Sequence, residues 1–204
     1  MMYNSQRANS IKTKDVAYLD AGIHDNISLI SVRTDVSVHG NAFLEFKLAD
    51  KDGKSVTWTE WQPNRTDNDT DASFDEKCDK QFKRIDQILS CFYPDVKDRE
   101  FEGEQFKDLA AWVVEKLNAA DKNILVRCKV VYNDNGFTTL PKYAQYTFIE
   151  PMSKVNEGKS VIVKLGIDRF TRPVVEDVEK VDNNPLPELG TLNNETADPN
   201  GLPF

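Results

Sequence analysis

Cysteine is scarce in this chain of 204 residues: only Cys78, Cys91 and Cys128 occur. They form no CxxC pair and are odd in number, which excludes a disulfide framework and points to a reducing compartment. With only His24 and His39 beside them, zinc-ligand spacing is missing, and no metal site is expected. No apolar run approaches membrane-spanning length, and residues 1–15 lack the apolar block of a signal peptide; a cytoplasmic location is the expectation. Walker loops, GxGxxG, nucleophile elbows and HExxH are all absent, so no catalytic residue, enzyme activity or cofactor is read from the chain. Asp67–Asp71 begins like an EF-hand loop, but Ala72 stands where glycine is needed and Cys78 where a bidentate Glu is needed. It reads as a solvated loop.

Positive charge is also short overall, with a net of −8, yet its distribution is uneven. Residues 176–204 carry seven acidic side chains and one lysine, so residues 1–175 hold a net of only −2. Residues 121–175 carry nine basic side chains against five acidic ones, a net of +4. An acidic end beside a locally basic region is the informative asymmetry, and the global sum conceals it.

What is present is strand text, then helix text, then strand text. Residues 1–15 are polar and read as a flexible arm. In Ile23–Arg33 the apolar phase slips, Ile27 and Leu29 sharing one parity and Ile30 and Val32 the other, which predicts a bulge or bend. Phe43–Ala49 and Ser55–Trp61 flank Asp50-Lys51-Asp52-Gly53, a hairpin signal. Ser73-Phe74-Asp75-Glu76 fits a capping box. The helix after it lines up Cys78, Phe82, Ile85, Leu89 and Phe92, and Glu104–Asn118 carries a second helical pattern. Strands are expected again at Asn123–Tyr132, Tyr143–Ile149 and Ser160–Leu165. The expected fold class is mainly β with a helical insertion (α+β): an OB-like Greek-key barrel over residues 16–172 with two helices, within 73–118, between strands 3 and 4. A helix-decorated sandwich has the same element order.

Strand parity then selects faces. Leu44, Phe46 and Leu48 face one way, with Phe43 and Lys47 opposite; Val56 and Trp58 oppose Trp61. Val126, Cys128 and Val130 alternate with Arg127 and Lys129. One sheet built this way shows Phe43, Lys47, Trp61, Arg127, Lys129, Tyr143 and Lys164 on its outer face, with Arg33, Lys142 and Arg169 as further basic candidates. Rings among cations suit a sequence-tolerant groove for single-stranded nucleic acid: bases stack on π-faces and phosphates meet Lys or Arg. Taken singly, each of these residues is equally at home in a core or on a solvated strand.

Residues 173–204 are acidic and rich in Pro and Asn, and read as a disordered tail. Its tip, Asp198 followed by Leu202-Pro203-Phe204, places a terminal carboxylate directly on an aromatic ring, a hook for a partner's pocket and base. This ending resembles the tip of bacterial and phage single-stranded-DNA-binding proteins, whose acidic tails end in Pro-Phe or Phe. The resemblance implies an OB-type, phage-encoded protein, placed in the host cytoplasm, that coats unpaired DNA in replication, recombination and repair. It also implies that Asp198, Leu202, Pro203 and Phe204 recruit replication proteins. The rival readings are a non-catalytic structural or protein-interaction β-domain of a virus, and an RNA-binding OB protein.

Overall fold

The first strand determines the topology. In the computed structural model, which describes residues 17–173, β1 (Gly22–Val36) is 15 residues long and serves two partners. Its Ser28–Val36 half pairs antiparallel with β2 (Ala42–Ala49), and its Gly22–Ser28 half with β4 (Leu125–Tyr132). The phase slip seen in the sequence corresponds to register shifts at Leu29/Ser31 and His24/Ile27, with Asn26 at φ 57°. A bulge bends and twists the strand, and Asn is among the few residues that tolerate the left-handed region.

β2 returns as β3 (Ser55–Trp61) through the Asp50–Gly53 turn, where Asp50 Oδ1 accepts from the amides of Asp52 and Lys54, each at 2.9 Å, and Gly53 supplies φ 84°. Helix α1 (Asp71–Phe92), a 3-10 turn (Val96–Arg99) and α2 (Phe106–Ala119) follow. The chain then re-enters the sheet as β4, β5 (Thr138–Thr139) and β6 (Ile149–Pro151), and α3 (Met152–Asn156) closes the regular part. The hydrogen-bonded path is β3-β2-β1-β4-β5, with β6 also on β4. Among the described residues this mainly antiparallel sheet is open: β3 and β5 end the path, though their Cα atoms approach within 8 Å.

One apolar cluster holds these pieces together. Leu44, Phe46 and Leu48 from β2, Val56 and Trp58 from β3 and Val126, Cys128 and Val130 from β4 meet Ile85, Ile88 and Leu89 of α1 and Val113 and Leu117 of α2. Trp58 packs on Phe46 at 5.2 Å and Phe148 at 5.8 Å between ring centroids. Each such side chain contributes about 1.5–3 kcal/mol by leaving water.

Three expectations change. The α1 cap is Thr70 instead of Ser73: its side chain accepts from the Ser73 amide at 3.2 Å. Thr70 is itself a good capping residue and Asp71 puts an acid in the first turn, so the helix starts earlier. Tyr143–Ile149 is not a strand until its last residue, because Gln87 of α1 takes the backbone there, donating to Tyr146 O at 3.2 Å and accepting from Phe148 N at 3.1 Å. Ser160–Leu165 is irregular: the Glu150 carboxylate, instead of a strand ladder, accepts from Ser160 Oγ and from the Val161 amide. The arm at 1–15, residues 174–204 of the tail and its tip residues Asp198, Leu202, Pro203 and Phe204 lie outside the described residues. Among the described residues, no helix is long and apolar enough to cross a membrane.

Candidate nucleic-acid interface

The β1–β2–β3 ladder carries the outer-face residues to one place. Lys47 stands opposite Thr57 on β3 and Ser31 on β1; Phe43 stands opposite Trp61 and Asp35; Arg33 stands opposite Glu45. These registers put Arg33, Phe43, Lys47 and Trp61 on one side, away from Leu44, Phe46 and Trp58, which are buried on the other. The Phe43 and Trp61 rings lie 5.0 Å apart, and the Arg33 guanidinium sits 5.3 Å from the Phe43 centroid. Arg33 is also bonded to Glu45 at 2.7 Å and Asp35 at 3.1 Å, which raises its pKa, chiefly through the Glu45 hydrogen bond. Lys47 is exposed and has no carboxylate partner among the described residues.

Trp61 is also the near wall of a cleft of about 700 Å³ between β3 and β5. Tyr18, Thr57, Thr59, Phe137 and Lys142 line it too. Tyr18, Trp61 and Phe137 are 62%, 45% and 65% exposed, well above what large aromatic side chains show in a core. Tyr18 is held there by its bridge to Ser55, flanked by Leu19 N to Ser55 O and Ser55 N to Ala17 O, each at 3.0 Å. Phe137 sits just past the Asn133–Gly136 turn, where Asn133 Oδ1 accepts from its amide at 2.9 Å. Lys142, like Lys47, has no carboxylate partner among the described residues, and it lines a second cleft on the far side of Trp61 as well. The arrangement offers three separate π-faces, hydroxyls between them, and cations at the rims: stacking surfaces for bases and charges for phosphates.

The other expected residues go elsewhere. Lys129 is the clearest correction. Parity does turn it away from Val126 and Val130, but a second layer covers it: its side chain is 1% exposed and its Nζ lies 2.7 Å from Asp168 Oδ2. Its ammonium also sits 5.4 Å from the Tyr143 centroid, and Tyr143 donates to Asp168 Oδ1 at 3.2 Å. Burial first, then the Asp168 charge, pushes the Tyr143 phenol up. Lys129 is therefore buried in a clamp with Asp168, whereas Tyr143 is half-buried and borders a hollow beside Lys142 and Arg169, away from Phe43 and Trp61. Arg127 is spent on Asp25, at 2.5 and 2.8 Å, and on Ser160 Oγ at 2.9 Å; the guanidinium holds the Asp25 carboxyl below its ordinary value. Lys164 lies on the irregular segment, 5.5 Å from the Phe170 centroid. Arg169 is paired with Asp134 and borders a shallow hollow that it shares with Lys142.

Tyr18 and Phe137 escaped the sequence reading, although an aromatic residue directly after an Asn-Asp-Asn-Gly turn is itself a signal of exposure. A further hollow of about 540 Å³ between α1 and α2 is lined by Phe74, Phe82, Phe101 and Phe106, with Asp79, Glu104 and Lys107 at its polar edge. The two carboxylates outnumber the one cation there, which disfavours phosphate. The Asp67–Asp71 loop uses its central carboxylate internally: Asp69 accepts from Lys77 at 2.6 and 2.7 Å and from the Thr66 amide at 2.8 Å. No protein-family model matches the chain, and no curated protein matches it.

Proposed function

We propose that this is a non-catalytic single-stranded-DNA-binding protein that coats unpaired DNA during replication and recombination, and recruits replication proteins through its C-terminal tip. The observation that carries the reading is the joint placement of Arg33, Phe43, Lys47 and Trp61 on one open face, with Trp61 opening onto a cleft that also holds Tyr18, Phe137 and Lys142. What supports an OB-like barrel is the strand path, with a bent first strand shared by β2 and β4, and β3 facing β5 across the remaining seam. In such barrels the β2–β3 face and the loops after strands 1 and 4 hold oligonucleotides. Here those loops are 37–41 and 133–137, beside Phe43 and Phe137.

In this mechanism bases stack on Trp61, Phe43, Tyr18 and Phe137, at about 1–3 kcal/mol per stacked base. Phosphates meet Lys47, Lys142 and Arg33, the last by exchange from its surface carboxylates. Stacking on π-faces is sequence-tolerant, and bases held this way are unavailable for hairpins. The tail residues Asp198, Leu202, Pro203 and Phe204 would act after coating, through the terminal carboxylate and ring, as in the proteins whose tails this one resembles.

Oligo-dT titrated into the full chain at low salt should quench tryptophan emission, and Trp61→Phe should abolish the quench while Trp58 and Trp112 remain. Unchanged emission with no oligonucleotide retained on a filter would end the proposal. An RNA of the same sequence competing equally well would favour an RNA-binding role, since 2′-hydroxyl contacts separate the two. A protein-interaction β-domain is the second reading, favoured by Val161, Val163 and Ile167, which stand exposed along the irregular segment.

A further inference from the structure

The helical insertion carries its own row of cations, and the fold delivers that row to Trp61. Lys77, Lys80 and Arg84 occupy i, i+3 and i+7 of α1, one face of the helix. With Gln81, Lys142 and Trp61 they line the second cleft, of about 340 Å³. Trp61 and Lys142 belong to both clefts, so the two are consecutive stretches of one trough.

A buried clamp fixes the helix in that position. Arg84 grips the Glu60 carboxylate through two bonds, 2.7 and 2.8 Å, with both side chains nearly buried. Gln81 Nε2 donates to Glu60 Oε2 at 2.7 Å and to the Trp61 carbonyl at 2.8 Å. The backbone of the stacking residue is thus bonded directly to the helix bearing the cations. Arg84 and Gln81 are consumed by this role, whereas the Lys77 and Lys80 side chains stay about half exposed. Lys80 is held only by a surface i,i+4 pair with Glu76 at 2.6 Å, the kind of pair worth a few tenths of a kcal/mol and readily exchanged. Lys77 is tied to Asp69 but still borders the cleft.

Building on the proposed function, we infer that the Lys77–Lys80 face of α1 is a phosphate track that extends the base-stacking cleft beyond Trp61, so the insertion lengthens the bound strand. The occupant is the sugar-phosphate backbone of the same single strand whose bases sit against Trp61. Charge complementarity selects it: the lining carries four cations and one carboxylate, Glu60, which Arg84 already neutralises. Short oligonucleotides fill the stacking cleft alone, and longer ones reach the helix.

The test compares oligo-dT of about 4 and about 16 nucleotides, the span of site sizes for one OB-type fold, as a function of salt. In Lys77→Gln/Lys80→Gln the log–log salt slope for the long oligonucleotide should fall by about 1.4, two single-strand phosphates at about 0.7 each. The short oligonucleotide should bind as before, with its Trp61 quench intact. Glu76→Gln, which frees Lys80, should tighten long-strand binding and leave short-strand binding alone. A long-strand slope unchanged in the double variant, or equal losses for both lengths, would overturn the track while leaving the stacking cleft standing. Failure of the wild-type chain to bind either length would remove both.

Discussion

Two regions of this molecule hold the same residue types and do opposite things with them. On the outer side of β1–β3, Arg33, Lys47, Phe43 and Trp61 present cations and rings to solvent. At β4, Lys129 presents its cation to Asp168 inside the protein, and the half-buried Tyr143 donates to the same carboxylate. Alternation puts the β1–β3 set and Lys129 on the side away from the apolar cluster, while Tyr143, on an irregular segment, packs against that cluster's edge. The difference is a second layer: the 160–169 segment folds back over β4, bringing Asp168 to Lys129, Ser160 to Arg127 and the Arg169 carbonyl to the Tyr132 amide at 2.9 Å. Nothing comparable covers β2 and β3 among the described residues. A ring-and-cation set therefore stays open to solvent only where no carboxylate-bearing layer has covered it.

The largest expected effect breaks the comparison on the β4 side. Lys129→Ala leaves Asp168 buried and uncompensated, which should cost about 3–5 kcal/mol in denaturant unfolding. The surviving folded fraction should bind oligonucleotide as the wild type does. A variant that unfolds normally but loses DNA would put Lys129 back in the groove. Next, Trp61→Ala should lose about 1–3 kcal/mol of oligonucleotide affinity, with a stability change near the surface range of about 0.5 kcal/mol. Lys47→Ala should leave the melting temperature alone and lower the salt slope by about 0.7. Arg127→Ala sharpens the contrast in the other direction. It should cost about 1 kcal/mol of stability or less, as a partly exposed ion pair does, and leave the salt slope where it was.

The smallest effect is on acid sensitivity. Asp25 has a folded pKa below its ordinary 3.8, first through the Arg127 hydrogen bond. A lowered folded value means the pair stabilises the protein above about pH 4 and that this contribution fades as pH falls through the folded value. Asp25→Asn should therefore flatten the acid limb of a melting-temperature profile slightly, with no change near pH 7 beyond the lost pair. A steeper acid limb in the variant would mean that the pair is not what protonation breaks.

Much of the favourable region was legible in the amino-acid order. Phe43–Ala49 and Ser55–Trp61 alternate cleanly around a strong turn, so a period of two settles which side each residue takes, and the hairpin register settles which residues are neighbours. The phase slip in β1 announced its bulges for the same reason. The β4 side resisted because its decisive partners are remote in sequence and carry no local pattern: parity could place Lys129 on a side, but not foresee that Asp168 would arrive there. Tyr143–Ile149 reads as strand by composition, yet Gln87 of α1 takes its backbone bonds. The lysine row of α1 was not singled out from the sequence, because its nearness to Trp61 depends on Glu60 and Gln81 meeting across the fold.

Periodicity and turn chemistry, both properties of neighbouring residues, specified the hairpin, the bent strand, the two long helices and the inward and outward faces. Covering, pairing and convergence were decided in three dimensions. Whether a cation meets water or a buried carboxylate depends on which distant segment packs over it, and that is settled by the global balance of burial and hydrogen bonding.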